Sequence, residues 1–269
     1  MSRARAGTLL ALACVCSAAF GCGARSGFDT LDQEADAPVP LCSPGVPAYL
    51  WSQTTGELLT FDPNTLATQS LGIPLCPTTS LPWTLSVSRT GFGYLLYEDW
   101  NIYRVDLATL ECTRTAYVPF QLGFQGQEGI AVSRDAGPER LYMYGMGTSG
   151  PTLAVTDLTS FVLAPVGLVK PLPTTWFPFK IQGDAEGTLF ALAQSGEVAE
   201  IDSATATVTV DVGTNWHASD AVMTYGSAVY LFANGESVGR FDPTSHAVTE
   251  LGNVNATIVG ASAYPCITP

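Results

Sequence analysis

Basic residues, histidine and helical periodicity are what this chain has least of. Only 11 of its 269 residues are Lys or Arg, against 24 Asp or Glu, for a formal net charge of −13. Nucleic acid and anionic lipid headgroups both require a positive surface, so neither is expected as a partner. Histidine occurs twice, at His217 and His246, and no Cys-x-x-Cys pair is present. A metal centre would therefore lack its usual ligands, and no motif points to a cofactor. Outside the first 21 residues no window of 11 or more carries a helical stripe, which excludes an all-α or α/β fold.

Long apolar runs are also missing, with one exception. Arg3 and Arg5 precede an apolar stretch from Ala6 to Phe20, which ends in Ala19-Phe20-Gly21-Cys22. A basic start, a short apolar core and small residues before a cut form a secretory signal, here residues 1–21. The stretch is too short to span a bilayer as a helix. Residues 22–42 follow, with glycines, prolines and acids in place of apolar periodicity, and this composition favours a flexible tether. Loss of Arg3 and Arg5 with the signal would leave 9 basic against 24 acidic residues.

What is abundant is a repeated phrase. A short aliphatic or aromatic run is followed by a polar or glycine turn, a second run, and then Asp-x-x-Thr or Ser. The first runs are Ala48–Trp51, Tyr94–Tyr97, Leu141–Tyr144, Leu189–Leu192 and Val229–Phe232, with starts 46, 47, 48 and 40 residues apart. The second runs end at Asp62, Asp106, Asp202 and Asp242. In the middle copy Asp157 follows Leu153–Thr156 and reads as displaced by one position. Another short run precedes each first run, for example Leu85–Arg89, Ile130–Arg134 and, at the end of the chain, Ile258–Ser262. A weaker fourth run follows each Asp turn, as at Thr113–Val118 and Thr205–Val210.

Four short strands at a fixed period of about 40 to 50 residues predict a propeller blade. The chain is therefore expected to be all-β, with a five-bladed β-propeller of four-stranded antiparallel blades over residues 43–269. The first blade would be closed by the C-terminal strand, because an open ring leaves a sheet edge exposed. The Asp-x-x-Thr corner is read as scaffold, since an Asp opening a tight turn accepts hydrogen bonds from the amides ahead of it. This domain is expected to be a monomer.

The phrase resembles the broad propeller superfamily of WD-repeat, Kelch and NHL-like proteins. More closely, the chain is similar to bacterial lipoproteins whose secreted part is a divergent propeller. Gly21-Cys22 looks like the end of a lipobox, so Cys22 would be acylated and hold the protein on a lipid bilayer. With Gly23 after the cysteine, the resemblance implies a place in the cell envelope, on the outer membrane of a bacterium. It implies no activity, because this fold hosts enzymes, lectins and docking platforms alike.

Once Cys14 and Cys16 leave with the signal and Cys22 is lipidated, Cys42, Cys76, Cys112 and Cys266 remain. An even number in an oxidising compartment suggests two disulfides. The propeller topology pairs Cys42 with Cys266 where head meets tail, which would stabilise by roughly 4 to 5 kcal/mol on the chain-entropy model. Cys76 and Cys112 pair by elimination.

No catalytic constellation is found. The run His217-Ala218-Ser219-Asp220 holds the letters of a triad, but sequence neighbours rarely reach relay geometry. The topology does place two sets of loops on one end of the ring: those entering each innermost strand, and those between second and third strands. The candidate ligand face there comprises Trp83, Glu98, Asp99, Trp100, Glu128, Trp176, Trp216, His217, Asn234 and Glu236. Aromatics beside amides and carboxylates suit a glycan or an envelope protein. Taken singly, Trp83, Trp176 and Trp216 are read first as plugs between adjacent blades, and Trp100 fits a plug or a ligand contact alike. The leading expectation is a membrane-anchored binding or scaffold module. The alternative is a propeller glycoside hydrolase or lyase using two of Glu98, Asp99, Glu128, Asp220 and Glu236.

Overall fold

The computed structural model describes residues 46–134, 138–171, 179–193, 195–214, 216, 219–233 and 236–266, apart from the side chains at 127, 128, 179 and 219. These residues form five four-stranded antiparallel sheets, arranged as the blades of a propeller. Blade 1 contains β1 (Ala48–Ser52), β2 (Leu58–Phe61) and β3 (Thr68–Gly72). Blade 2 contains β4 (Pro82–Val87), β5 (Phe92–Tyr97), β6 (Ile102–Asp106) and β7 (Cys112–Arg114). Blade 3 is β8 (Gly126–Ser133), β9 (Arg140–Gly147), β10 (Gly150–Asp157) and β11 (Ala164–Leu168). Blade 4 is β12 (Phe179–Gly183), β13 (Thr188–Ala193), β14 (Glu197–Asp202) and β15 (Val208–Gly213). Blade 5 is β16 (Ser219–Tyr225), β17 (Ala228–Ala233), β18 (Ser237–Asp242) and β19 (Ala247–Asn253).

The last strand, β20 (Ile258–Ser262), completes blade 1 as its innermost member. It pairs with β1 in the register Tyr49↔Ser262, Leu50↔Ala261 and Trp51↔Gly260. The expected closure is thus present, and it removes the one edge at which an open ring would unzip.

Burial follows position in the blade. Strand β1 is buried along its whole length, whereas β3 is exposed except at its last residue. An inner strand packs against neighbouring blades on both faces, so it reads as a continuous apolar run; an outer strand faces solvent and alternates or turns polar. Seams between blades are filled by aromatic pairs: Trp51–Tyr97 between blades 1 and 2 at 4.9 Å, and Phe61–Phe232 between blades 1 and 5 at 5.7 Å. Both are edge-on, the arrangement that adds about 0.5–1.5 kcal/mol beyond area burial.

The register reveals a fivefold layer. Tyr49, Tyr94, Tyr142, Phe190 and Tyr230 occupy equivalent places on the second strands, opposite Ser262, Ser86, Ala131, Gln182 and Met223 on the innermost strands. The serines join blades: the Val87 amide donates to Ser262 Oγ at 2.9 Å, and the Val132 amide donates to Ser86 Oγ at 2.6 Å. Gln182 belongs to blade 4, yet its Nε2 donates to Ser262 Oγ in blade 1 at 2.6 Å. Since blade 5 lies between those two in the ring, Gln182 reaches across the axis and closes the central channel there.

The Asp corners are scaffold, with one correction. Asp157 ends β10 in the same place as Asp106 and Asp202 end β6 and β14, and its Oδ1 accepts the amides of Thr159 and Ser160. It is therefore not displaced; Asp157-Leu158-Thr159-Ser160 is a regular copy of the corner. The fourth strands also differ from their expected bounds. β7 starts one residue early, at Cys112, and ends already at Arg114, whereas β15 starts late, at Val208, because its corner consumes more residues than a two-residue turn would.

Those extra residues have a purpose. The fifth residue of each corner adopts a positive φ: Leu66 (59°), Leu110 (61°), Phe161 (53°), Ala206 (59°) and His246 (57°). Their side chains are thereby turned toward the preceding blade. A Cβ on Gly72 of blade 1 would stand 2.9 Å from Leu110 Cδ1, and one on Gly252 of blade 5 would stand 3.1 Å from Leu66 Cδ1. Phe161 meets Tyr94 of blade 2 with ring centroids 6.0 Å apart. In blades 1 and 2 the corner is thus a hook, and the glycine beneath it is the eye.

Candidate binding face

Chain direction separates the two ends of the ring. Innermost strands run from the loop end to the corner end, where Leu107 N donates to Gly91 O and Ser203 N donates to Gly187 O. At the opposite end the connection into β4 meets the turn between β5 and β6, with Glu98 N donating to Leu81 O at 3.0 Å. The loops expected to share a face do so in blade 2.

That turn is braced from several sides. Asp99 Oδ2 accepts the hydroxyls of Thr78 and Tyr103, each at 3.0 Å, and its Oδ1 accepts the Asn101 amide at 2.9 Å. Burial pushes the Asp99 carboxyl up, but these hydrogen bonds outweigh it and hold the group below its ordinary value of 3.8. Asp99 is a structural strut and cannot serve as a proton donor near neutral pH. A disulfide between Cys76 and Cys112, with Cα atoms 4.7 Å apart, ties the same connection to the outer strand of blade 2. The pairing reached by elimination is therefore correct. Cys266 is also disulfide-bonded, while Cys42 lies outside the described residues, as does Cys22.

Trp100 sits at the tip of the braced turn, half-buried, with φ of 62°. A bulky side chain in the left-handed region is uncommon, because Cβ crowds the carbonyl. Its ring lies 6.5 Å from that of Phe120, on the connection from blade 2 to blade 3.

The other tryptophans divide. Trp83 opens β4 half-buried, with Lys180 Nζ 3.5 Å from its ring centroid and donating to its carbonyl at 2.6 Å. Lys180 is in blade 4 and Trp83 in blade 2, so this cation–π contact also bridges the axis, nearer the loop end than Gln182. Trp216 packs against the apolar seam of blades 4 and 5, its ring 3.1 Å from where a Gly239 Cβ would stand. It is a gap-filler. Trp176, His217 and Asn234 lie outside the described residues, and of Glu128 only the backbone, in β8, is described.

Among the carboxylates proposed for glycoside chemistry, Glu98 and Glu236 are exposed and Asp220 is half-buried. Among the described residues no three His, Cys, Asp or Glu side chains converge to hold a metal ion. What the sequence did not signal was Lys180 and the strut at Thr78, because both act through contacts 21 to 97 residues away along the chain.

No known protein family and no curated protein matches the sequence. Many solved chains match the backbone. One, from the crystal structure of a nidogen/laminin complex, aligns with a TM-score of 0.52 over 80% of this chain and 97% of that one, at 15% identity. The likeness establishes the β-propeller fold.

Proposed function

We propose that this chain is a membrane-anchored extracytoplasmic propeller that works as a binding or scaffold module through its loop end. The observation that carries the reading is Trp100. A large aromatic is kept at φ of 62°, on a turn fixed by a disulfide-tied connection and by three hydrogen bonds to Asp99. Backbone strain at a rigid, partly exposed aromatic suits recognition, where pre-organisation removes the cost of ordering on contact.

The fold itself is compatible with docking between proteins, as the nidogen/laminin complex illustrates for another propeller.

Metabolic labelling with a fatty acid tests the anchor: incorporation lost in C22S supports it, and equal labelling of both forms refutes it. For the binding reading, the soluble 23–269 fragment is screened against glycans, peptides and envelope proteins. Silence across all three would refute it.

A further inference from the structure

Nine large apolar side chains are exposed among the described residues, and six of them lie on just two connections, those entering and leaving blade 2. Ile73, Leu75 and Leu81 belong to the first, and Val118, Phe120 and Leu122 to the second; Leu75 is 82% exposed and Phe120 51%. The segments 71–83 and 115–127 contain no charged residue, in a chain with 24 acids. The first is bound to the turn beneath Trp100 through Thr78 and Leu81, and the second meets Trp100 through Phe120. The result is an apolar surface on blade 2, formed by two uncharged segments with Trp100 between them and Glu98 beside it. Surfaces of this kind mark contact sites, and tryptophan is enriched among residues that dominate binding energy.

Charge identifies the occupant. Glu98 next to Trp100 is exposed, and Glu57 faces Ser70 one strand away from Ile73, its Oε1 accepting that hydroxyl. The neighbouring Arg114 donates to Asn101 Oδ1 at 2.6 Å and keeps its charge, one cation against the two glutamates. With a net charge of −13, two copies of this chain repel one another. We infer that the surface around Leu75, Trp100 and Phe120 docks a protein segment bearing aliphatic or aromatic side chains flanked by Lys or Arg. This rests on the binding-module reading and assigns it a partner class in place of a glycan.

The test uses the full chain, purified in detergent, and a displayed library of random 12-residue peptides. Three variants, L75D, W100N and F120N, remove the apolar contacts. Trp100 and Phe120 both have positive φ, at 62° and 65°, which Asn tolerates, so these variants keep the turn. Their unchanged melting temperatures establish that the fold is intact. Selected peptides rich in aromatic, aliphatic and basic residues support the inference if they bind each variant at least about tenfold more weakly, the loss expected for a hot-spot residue. Their binding also weakens with salt. Peptides that are acidic, that bind the variants equally, or that fail to enrich overturn it. So does a concentration-dependent dimer of the wild type that L75D abolishes, which makes a second copy the occupant. Glycan binding that survives in all three variants overturns this inference and leaves the broader binding reading standing.

Discussion

Adding one methyl group at Gly183 should cost this protein about as much as truncating a core leucine to alanine would. Gly183 ends the innermost strand of blade 4 and is buried. A Cβ there would fall 2.3 Å from Ser133 Cβ and 2.6 Å from the Val132 carbonyl oxygen, both in blade 3. Carbon atoms in contact sit about 3.5–4.0 Å apart, so the two inner strands must separate by more than an ångström. The obstacle is backbone and Cβ, and no flexible side chain can swing away. Overpacking of this type costs typically about 1–3 kcal/mol. Separation also stretches the hydrogen bond that crosses the same seam, Ser133 Oγ to Asp184 O at 2.9 Å. It contributes about 1 kcal/mol. We expect G183A to lose about 3 kcal/mol or more, lowering the melting temperature by roughly 6–12 °C for a domain of this size. The control is G213A, where nothing lies within 4 Å of the added Cβ and the change should be neutral. Calorimetry of both variants decides the matter. If G183A melts with G213A and the wild type, the inner strands are not in the close contact that closes this ring.

Three further outcomes are expected. Replacing Cys76 and Cys112 with alanine opens a crosslink spanning 36 residues and should cost up to about 4 kcal/mol by the chain-entropy model; equal urea midpoints with and without reductant would refute this. At the hook, L110A loses the contact on Gly72 and keeps a positive φ, whereas L110G loses the contact and relieves the backbone. The glycine variant should therefore be the more stable by roughly 1 kcal/mol, the reverse of the usual order, and a less stable L110G would sink the hook. Stability should peak in mildly acid solution. Glu139, Asp184, Glu200 and Asp211 are pushed above their ordinary values of 4.5 or 3.8, chiefly by burial. The native state binds their protons before the unfolded chain does, so stability rises as pH falls from neutral toward those ordinary values. Asp62, Asp99, Asp157 and Asp242 are held below 3.8 by turn hydrogen bonds, against the burial that opposes this most at Asp99 and Asp157. Their contribution is present above 3.8 and is lost as pH falls below it. Melting temperatures measured from pH 3 to 8 should trace a bell; a monotonic curve would show that one of the two sets has the wrong sign.

Sequence alone determined the blade count, the order of strands and the head-to-tail closure. These follow from period-two alternation and from punctuation by Gly, Pro and Asp, which are local properties of the chain. The Cys76–Cys112 pair was legible only through the topology, as what remains once Cys42 and Cys266 are placed where head meets tail. Asp157 reads as displaced in the sequence because the run before it is a degenerate copy, whereas the hydrogen bonds to Thr159 and Ser160 define a regular corner.

Tertiary structure decided everything that depends on contact between blades. The positive φ of Leu66, Leu110, Phe161, Ala206 and His246 is invisible in sequence, because none is glycine, and Leu66 and Leu110 show its use in their contacts with a neighbouring blade. Gln182 and Lys180 looked like ordinary strand residues until the ring brought blades 1, 2 and 4 within reach of one another across the axis. The candidate face divided in the same way. Trp216 became packing, Asp99 became a strut, and Trp100 remained on the surface, because side-chain neighbours are set by how sheets stack around the ring and not by spacing along the chain.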